Sequence, residues 1–267
     1  MTVDVDRNTM PLAVYSPHMN SMIKRFGLFA FTVLAAAACG GSVSPYQGMD
    51  APTLFQTAVA EYEEGAYENT IEAVDRLIIN FGDWDRLPEA RLLLANAHFA
   101  KTDFLTARSE YMRFLDRYSG SAEAPTAALG VCRSLTSLAP ESQRDQTYTS
   151  DAITVCRNVV IDYAGTQQSV EAADLANEMR QKLAAKELET ADFYFRRELF
   201  DSAIVYYDFV VRLYPETVYA PRGLAGLYHS NMAIGYDDLA ETARDRLFAT
   251  YPDSPEAELI RTIESGR

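Results

Sequence analysis

From residue 54 onward, apolar positions recur with the period of an α-helix, in blocks that come in pairs. Leu54, Phe55, Ala58, Val59 and Tyr62 fall at i, i+1, i+4, i+5 and i+8, one stripe of a helix. Gly65-Ala66-Tyr67 interrupts it with a turn. Ile71, Val74, Leu77 and Ile78 then line a returning helix that stops at Phe81-Gly82. The scheme repeats: Leu92, Ala95 and Phe99, a turn at Thr102-Asp103-Phe104, then Ala107, Tyr111, Phe114 and Leu115. Aromatic residues close the returning helices at Phe81, Tyr118, Tyr163, Tyr214 and Tyr251, in steps of 37, 45, 51 and 37 residues. Eleven residues before them stand Thr70, Ala107, Ala152, Ala203 and Ala240, and seven after three of them stand Pro88, Pro125 and Pro221. Self-similarity on this scale predicts stacked helical hairpins, which build surfaces for partners more often than pockets for chemistry.

Two steps are long. In the third hairpin, beginning near Pro125, Leu138-Ala139-Pro140-Glu141-Ser142 breaks the first helix, and Arg144-Asp145-Gln146 precedes the second, with Asp145 placed to cap it. The fourth hairpin opens with a long helix, roughly 169–198, whose Leu175, Met179, Leu183, Ala184 and Leu188 keep helical spacing. The fifth carries Tyr228, a turn at Gly235, and Ala240 and Leu247, and the tail from Ser254 is suited to cap the stack. Alanine lets antiparallel helices approach, the aromatic is expected to wedge into the next hairpin, and proline begins the helix after it.

The N-terminus changes the picture of location. Lys24 and Arg25 precede an uncharged run of 13 residues, Phe26 to Ala38, too short to span a bilayer but right for a signal-peptide core. It ends Ala36-Ala37-Ala38-Cys39-Gly40-Gly41-Ser42, which resembles the bacterial lipobox, where the cysteine is lipidated and becomes the mature N-terminus. Conventional cleavage after Ala36-x-Ala38 is the alternative. Asp4, Asp6 and Pro11 are unusual before a signal core and point to Met19 or Met22 as alternative starts. Residues 1–38 are thus read as a signal peptide, 39–51 as lipidated terminus and tether with Pro52 suited to the first helical position, and 52–267 as one domain. Of 267 residues 48% are apolar, enough for a sizeable core, and the formal charge of −14 argues against non-specific nucleic-acid binding.

The candidate chemistry is thin. His98 and His229 are the histidines left after the signal and lie three hairpins apart, so no histidine metal site is expected. No phosphate-binding glycine loop and no Gly-x-Ser-x-Gly elbow is present, and no cofactor is implied. Cys132 and Cys156 occupy facing places in one hairpin; in an oxidising periplasm they form a disulfide, and otherwise they are two small buried thiols. Trp84, between charged loop residues, is a partner contact or a lid on the first hairpin. Arg144, Asp145 and Gln146 contact a partner, or Arg144 and Asp145 form an internal ion pair with a helix cap. Lys186 and Glu187 contact a partner, bridge neighbouring hairpins or face solvent.

Glycine or a small polar residue at the turn, an aromatic two residues on, alanine three after that and an aromatic-proline ending resemble the tetratricopeptide repeat. The expected fold is all-α, a right-handed superhelical solenoid of about five such hairpins. Three stretches sharpen the resemblance: Gly65-x-Tyr67 through Phe81-Gly82 and Asp103-Phe104 to Arg113-Phe114-Leu115; Arg144-Asp145-Gln146 in an extended third repeat; and Leu183-Ala184-Ala185-Lys186-Glu187 leading to Ala191, Phe193-Tyr194 and Leu213-Tyr214-Pro215. Behind a lipidated cysteine these look like the BamD-type outer-membrane assembly lipoproteins. The resemblance implies a non-enzymatic scaffold anchored through Cys39 to the outer membrane and facing the periplasm. It would dock on a BamA-type barrel protein beside other assembly lipoproteins and help insert nascent β-barrel proteins. The other reading is a periplasmic adaptor in cell-envelope constriction or peptidoglycan synthesis.

Overall fold

The computed structural model describes residues 45–141 and 144–266. The expected signal segment 1–38, the alternative starts Met19 and Met22, and Cys39 lie outside the described residues. Every helix of the described residues belongs to the second of two compact units, which begins at Gly48. Among the described residues all regular structure is helical: α1 Ala51–Glu63, α2 Tyr67–Asn80, α3 Leu87–Ala100, α4 Phe104–Tyr118, α5 Ala124–Leu138, α6 Thr147–Asp162, α7 Gln167–Phe195, α8 Phe200–Leu213, α9 Ala220–Ala233, α10 Asp237–Thr250 and α11 Pro255–Ser265. Consecutive helices pair, giving five hairpins and a closing helix: a tetratricopeptide-like solenoid.

Local chemistry sets the ends. Asp50 caps α1 by accepting from Thr53 N at 3.0 Å, and Pro52 sits in the first turn, one place later than expected. Thr166 caps α7 through Ser169 N, and Ser254 caps α11 through Ala257 N, both at 3.2 Å. Four hairpin turns are built alike. Gly65, Thr102, Glu198 and Gly235 all take the left-handed region, with φ between 60° and 78°. The next N–H in each turn reaches back to close a wide ring: Ala66 to Glu61 O, Asp103 to His98 O, Leu199 to Tyr194 O and Tyr236 to Asn231 O, 2.8–3.1 Å. Glycine suits that backbone; threonine and glutamate hold it at a cost.

Packing confirms the small positions and corrects the aromatic ladder. Thr70, Ala107, Ala152, Ala203 and Ala240 are fully buried. Phe81, Tyr118, Tyr163, Tyr214 and Tyr251 are only half-buried, because each ends its helix or caps it and so lies at the rim. The wedges are one or two turns earlier: Phe114 is fully buried, Tyr111 4% exposed and Tyr207 3%.

Tyr111 and Tyr207 expose a repeat that the ladder hides. Tyr111 lies against Gly130 of α5 so closely that an added Cβ would come within 2.5 Å of its ring; Tyr207 does the same to Gly226 of α9. Tyr111 Oη donates to Asn96 Oδ1 at 2.6 Å, and Tyr207 Oη to Asp192 Oδ1 at 2.7 Å. Each pair is 96 residues apart, as are Phe99–Phe104 and Phe195–Phe200, both edge-on, and the strained Thr102 and Glu198. The run α3–α4–α5 therefore recurs as the C-terminal half of α7 with α8 and α9.

The 29 residues of α7 make this possible. Its first half packs on the third hairpin, Ala172 and Ala176 lying with Leu129, Cys132, Cys156 and Val159. Its second half carries Leu188 and Ala191 into a separate cluster with Ala203, Tyr207 and Val210 of α8. The helix begins two residues before the expected Ser169 and stops at Phe195, where the turn through Glu198 takes over. At the far end Ala257 and Ile260 of α11 cover Leu247, as the tail pattern suggested.

Candidate partner-binding site

The third hairpin lacks the tight turn. Pro140 cannot continue α5, and Ala139 before it adopts the extended backbone that a following proline favours (ψ 118°). Residues 139–141 leave α5 and residues 144–146 lead into α6. Lys182 Nζ, on α7, donates to Ala139 O at 2.9 Å and ties down the start of the crossing. Gln146 ties down the end: its Nε2 donates to Glu141 O at 2.8 Å and Arg144 O at 3.0 Å, and its Oε1 accepts from Thr149 Oγ1 at 2.6 Å.

Asp145 caps α6, as its place suggested, but from one residue further out. Its Oδ1 accepts from Thr147 N at 2.7 Å and Thr147 Oγ1 at 2.5 Å. These bonds, with the nearby Lys186 ammonium as a lesser cause, hold its carboxyl below the usual aspartate value. The expected internal ion pair does not accompany the cap: among the described residues no salt bridge joins Arg144 to Asp145, and Arg144 is exposed. The three consecutive residues thus divide, Gln146 holding the loop, Asp145 holding the helix and Arg144 facing solvent.

Lys186 and Glu187 sit on α7 one turn past Lys182 and lean different ways. Lys186 is close enough to Asp145 to lower its pKa. Glu187 is raised by burial, which Lys186 only partly offsets, and its charge acts on Tyr214 at the end of the fourth hairpin. The pair spans from the third hairpin to the fourth. Trp84 is elsewhere. Its indole meets Phe55 of α1 edge-on at 5.3 Å, and the Arg86 guanidinium covers both rings at 4.8 and 5.8 Å. It packs over the first hairpin, and no hydrogen bond, ion pair or ring contact of the described residues joins it to the insertion. Cys132 and Cys156 form a disulfide between α5 and α6, with Cα atoms 5.0 Å apart.

A further surface escaped the sequence reading. Phe193, Tyr194, Tyr206 and Phe209 form a continuous strip across α7 and α8, with ring centroids 5.4, 5.4 and 5.8 Å apart in order. Tyr194 and Tyr206 stack within 13° of parallel. An arginine stands at each end, Arg197 4.1 Å from the Phe193 ring and Arg212 5.7 Å from that of Phe209. Phe193 is 42% exposed, and Leu199, Val205 and Leu213 on the same hairpin are about half exposed. The signal was available: Phe193-Tyr194-Phe195 are consecutive, and three neighbours spread over too wide an arc for one helix face to bury. Phe195 meets Phe200 and Tyr207, Tyr194 packs half-buried on the same cluster, and Phe193 is left exposed.

Two candidate surfaces result: a half-buried aromatic strip with its exposed end at Phe193 and an arginine at each end, and the charged insertion. Among the described residues no cluster of His, Cys, Asp and Glu is arranged to hold a metal, and no helix is long and apolar enough to cross a membrane.

The family described as "YfiO: Outer membrane lipoprotein" matches residues 47–258. The outer membrane protein assembly factor BamD of Xylella fastidiosa (strain Temecula1) is 23% identical over 211 residues, covering 79% of this chain and 63% of that protein. The BamD of Caulobacter vibrioides is 21% identical over 213 residues, 78% of this chain and 69% of that one. The putative BamD of Aquifex aeolicus is 24% identical over 228 residues, covering 80% and 74%. This chain therefore spans somewhat under two thirds of the Xylella relative and about seven tenths of the other two. All five hairpins, with the insertion and the long α7, fall inside the matched stretch, and this chain belongs to the YfiO family of outer membrane lipoproteins.

Proposed function

We propose that this chain is a non-enzymatic scaffold of the outer-membrane β-barrel assembly machinery, held by a lipidated Cys39 at the periplasmic face of the outer membrane. It docks on the periplasmic domains of a BamA-type barrel protein, beside other assembly lipoproteins, and helps deliver nascent β-barrel proteins. The observation that carries the reading is the aromatic strip Phe193–Tyr194–Tyr206–Phe209 between Arg197 and Arg212, a partly desolvated row of the residue types that dominate protein interfaces. The relatives named as assembly factors supply the kind of machinery. Arg144 on the insertion adds a charged contact, Asp145, Gln146 and Lys186 hold the insertion in place, and Glu187 offers a half-buried carboxylate toward the fourth hairpin. Trp84 serves the first hairpin.

Affinity capture from outer membranes with the full chain tests this. The expected catch is a large β-barrel protein with repeated periplasmic domains; its absence overturns the reading. Cys39→Ala should release the chain from membranes into the soluble fraction, and retention would remove the lipid anchor from the account.

A further inference from the structure

The hairpin without a tight turn is the hairpin with the disulfide. In the other four, a three- or four-residue turn with a left-handed residue and a wide backbone ring fixes how far one helix slides along its partner. The third hairpin has no such device: between Leu138 and Thr147 no left-handed residue and no wide backbone ring occurs among the described residues. The cross-link supplies what the turn does not: it joins Cys132, six residues before the end of α5, to Cys156, nine after the start of α6.

We infer that the Cys132–Cys156 disulfide is the clamp that sets the register of the third hairpin and so positions the insertion, and that it must be oxidised before α7 docks. Register matters because the insertion is read against α7. Lys182 meets Ala139 O, and Lys186 lies by Asp145, one turn apart on the same helix. A slip of α6 along α5 moves Asp145 and Arg144 away from those fixed points. The order follows from burial. Both cysteines are fully buried, under Ala172 and Ala176 of α7. An oxidant reaches them only on a hairpin that α7 has not yet covered.

The step balances as thiol–disulfide exchange. One cysteine, as thiolate, attacks an oxidant disulfide and releases one thiol. The second cysteine attacks the mixed disulfide and releases the other. Two electrons and two protons pass from the pair of thiols to the oxidant, which leaves as a dithiol. A disulfide-bearing oxidant of the compartment is thus the class of reagent that must act upstream of the finished fold.

The consequence for binding rests on the reading of the insertion as part of the partner surface, and the test separates the two. Amide exchange of the full chain is compared between the oxidised wild type and Cys132→Ala/Cys156→Val, which roughly keeps the volume. Residues 139–146 and the first turn of α6 should exchange about tenfold faster in the variant, while the turns at Gly65, Thr102, Glu198 and Gly235 stay unchanged. Unaltered exchange at 139–146 overturns the clamp. In parallel, binding of the periplasmic fragment of the BamA-type protein is measured well below the variant's melting temperature. It should weaken about tenfold, a loss that lowered stability alone does not cause. If exchange rises but neither this variant nor Arg144→Ala alters binding, the clamp stands and the insertion is not a partner surface. The order is tested on the wild type, without any variant. During refolding with a disulfide oxidant, thiol trapping at timed intervals should find both cysteines oxidised before the α7 amides become protected. Protection of α7 over free thiols would overturn it.

Discussion

Two stretches of this molecule share an interior and differ outside. In α3–α4–α5, Tyr111 rests on Gly130 and bonds Asn96; in α7–α8–α9, 96 residues later, Tyr207 rests on Gly226 and bonds Asp192. The alanines, the edge-on phenylalanine pairs and the strained turns coincide. The exteriors do not. Ala97, Glu110 and Arg113 of the first stretch stand where the second has Phe193, Tyr206 and Phe209. Ala97 is fully buried and Phe193 is 42% exposed, because the second half of α7 runs past the third hairpin and nothing among the described residues covers that side. Arg113 reaches back to Glu110 in a local ion pair, while Tyr206 and Phe209 continue the aromatic strip. The repeated interior is shared architecture; the divergent exterior is the surface proposed above for docking.

Substituting the shared glycines strikes both copies hardest. Gly130→Ala and Gly226→Ala each force a ring that is anchored at its hydroxyl to move, which outweighs the better helix propensity of alanine. Each should cost about 2 kcal/mol in chemical denaturation. A cost at one site and none at the other would break the equivalence of the two stretches.

The polar partners should separate them. Asn96→Ala removes one neutral acceptor from a buried hydroxyl and should cost about 1 kcal/mol. Asp192 also accepts from Arg222 at 2.6 Å, where the first stretch has Thr126. Asp192→Ala strands both groups and should cost about 2 kcal/mol, in part lost at high salt. Equal losses would mean that Arg222 contributes nothing.

The turns should respond alike and in the opposite sense. Thr102→Gly and Glu198→Gly relieve a left-handed backbone and should each add about 0.5–1 kcal/mol, threonine more because it is β-branched. Destabilisation by either would show that its side chain is needed in the turn.

The smallest effect is electrostatic. Glu187 occupies the place of Arg91, and burial raises its pKa above the ordinary 4.5. A carboxyl raised in the fold is penalised when ionised. The penalty is absent below the unfolded value and complete above the folded one. Glu187→Gln should therefore raise the melting temperature slightly at pH 7 and leave it unchanged near pH 4. A gain that persists at pH 4 would assign the effect to packing.

Much of this was legible in the residues. The helical stripes, the buried alanines, the prolines and the capping tail gave five hairpins, and the long ladder steps fell where the insertion and α7 are. What stayed hidden has physical reasons. Gly130 and Gly226 carry no sequence signal of their own, and only their contact with a ring 19 residues earlier shows their use. The 96-residue period was masked because α7 fuses two structural roles without a break. Gln146 looked like a partner contact until its hydrogen bonds turned it inward, which spacing does not encode. The ladder aromatics looked like wedges because they recur, yet recurrence at a helix end marks a rim.

The most direct test compares the two exteriors. Affinity of the full chain for the periplasmic domains of the BamA-type protein is measured for Phe193→Ala and Tyr206→Ala, and for Glu110→Ala and Arg113→Ala at the matching places. The strip substitutions should weaken binding about tenfold each, and the first-stretch substitutions should leave it within about twofold. Equal effects from both sets, or no effect from the strip, would contradict the assignment of the second exterior as the docking face.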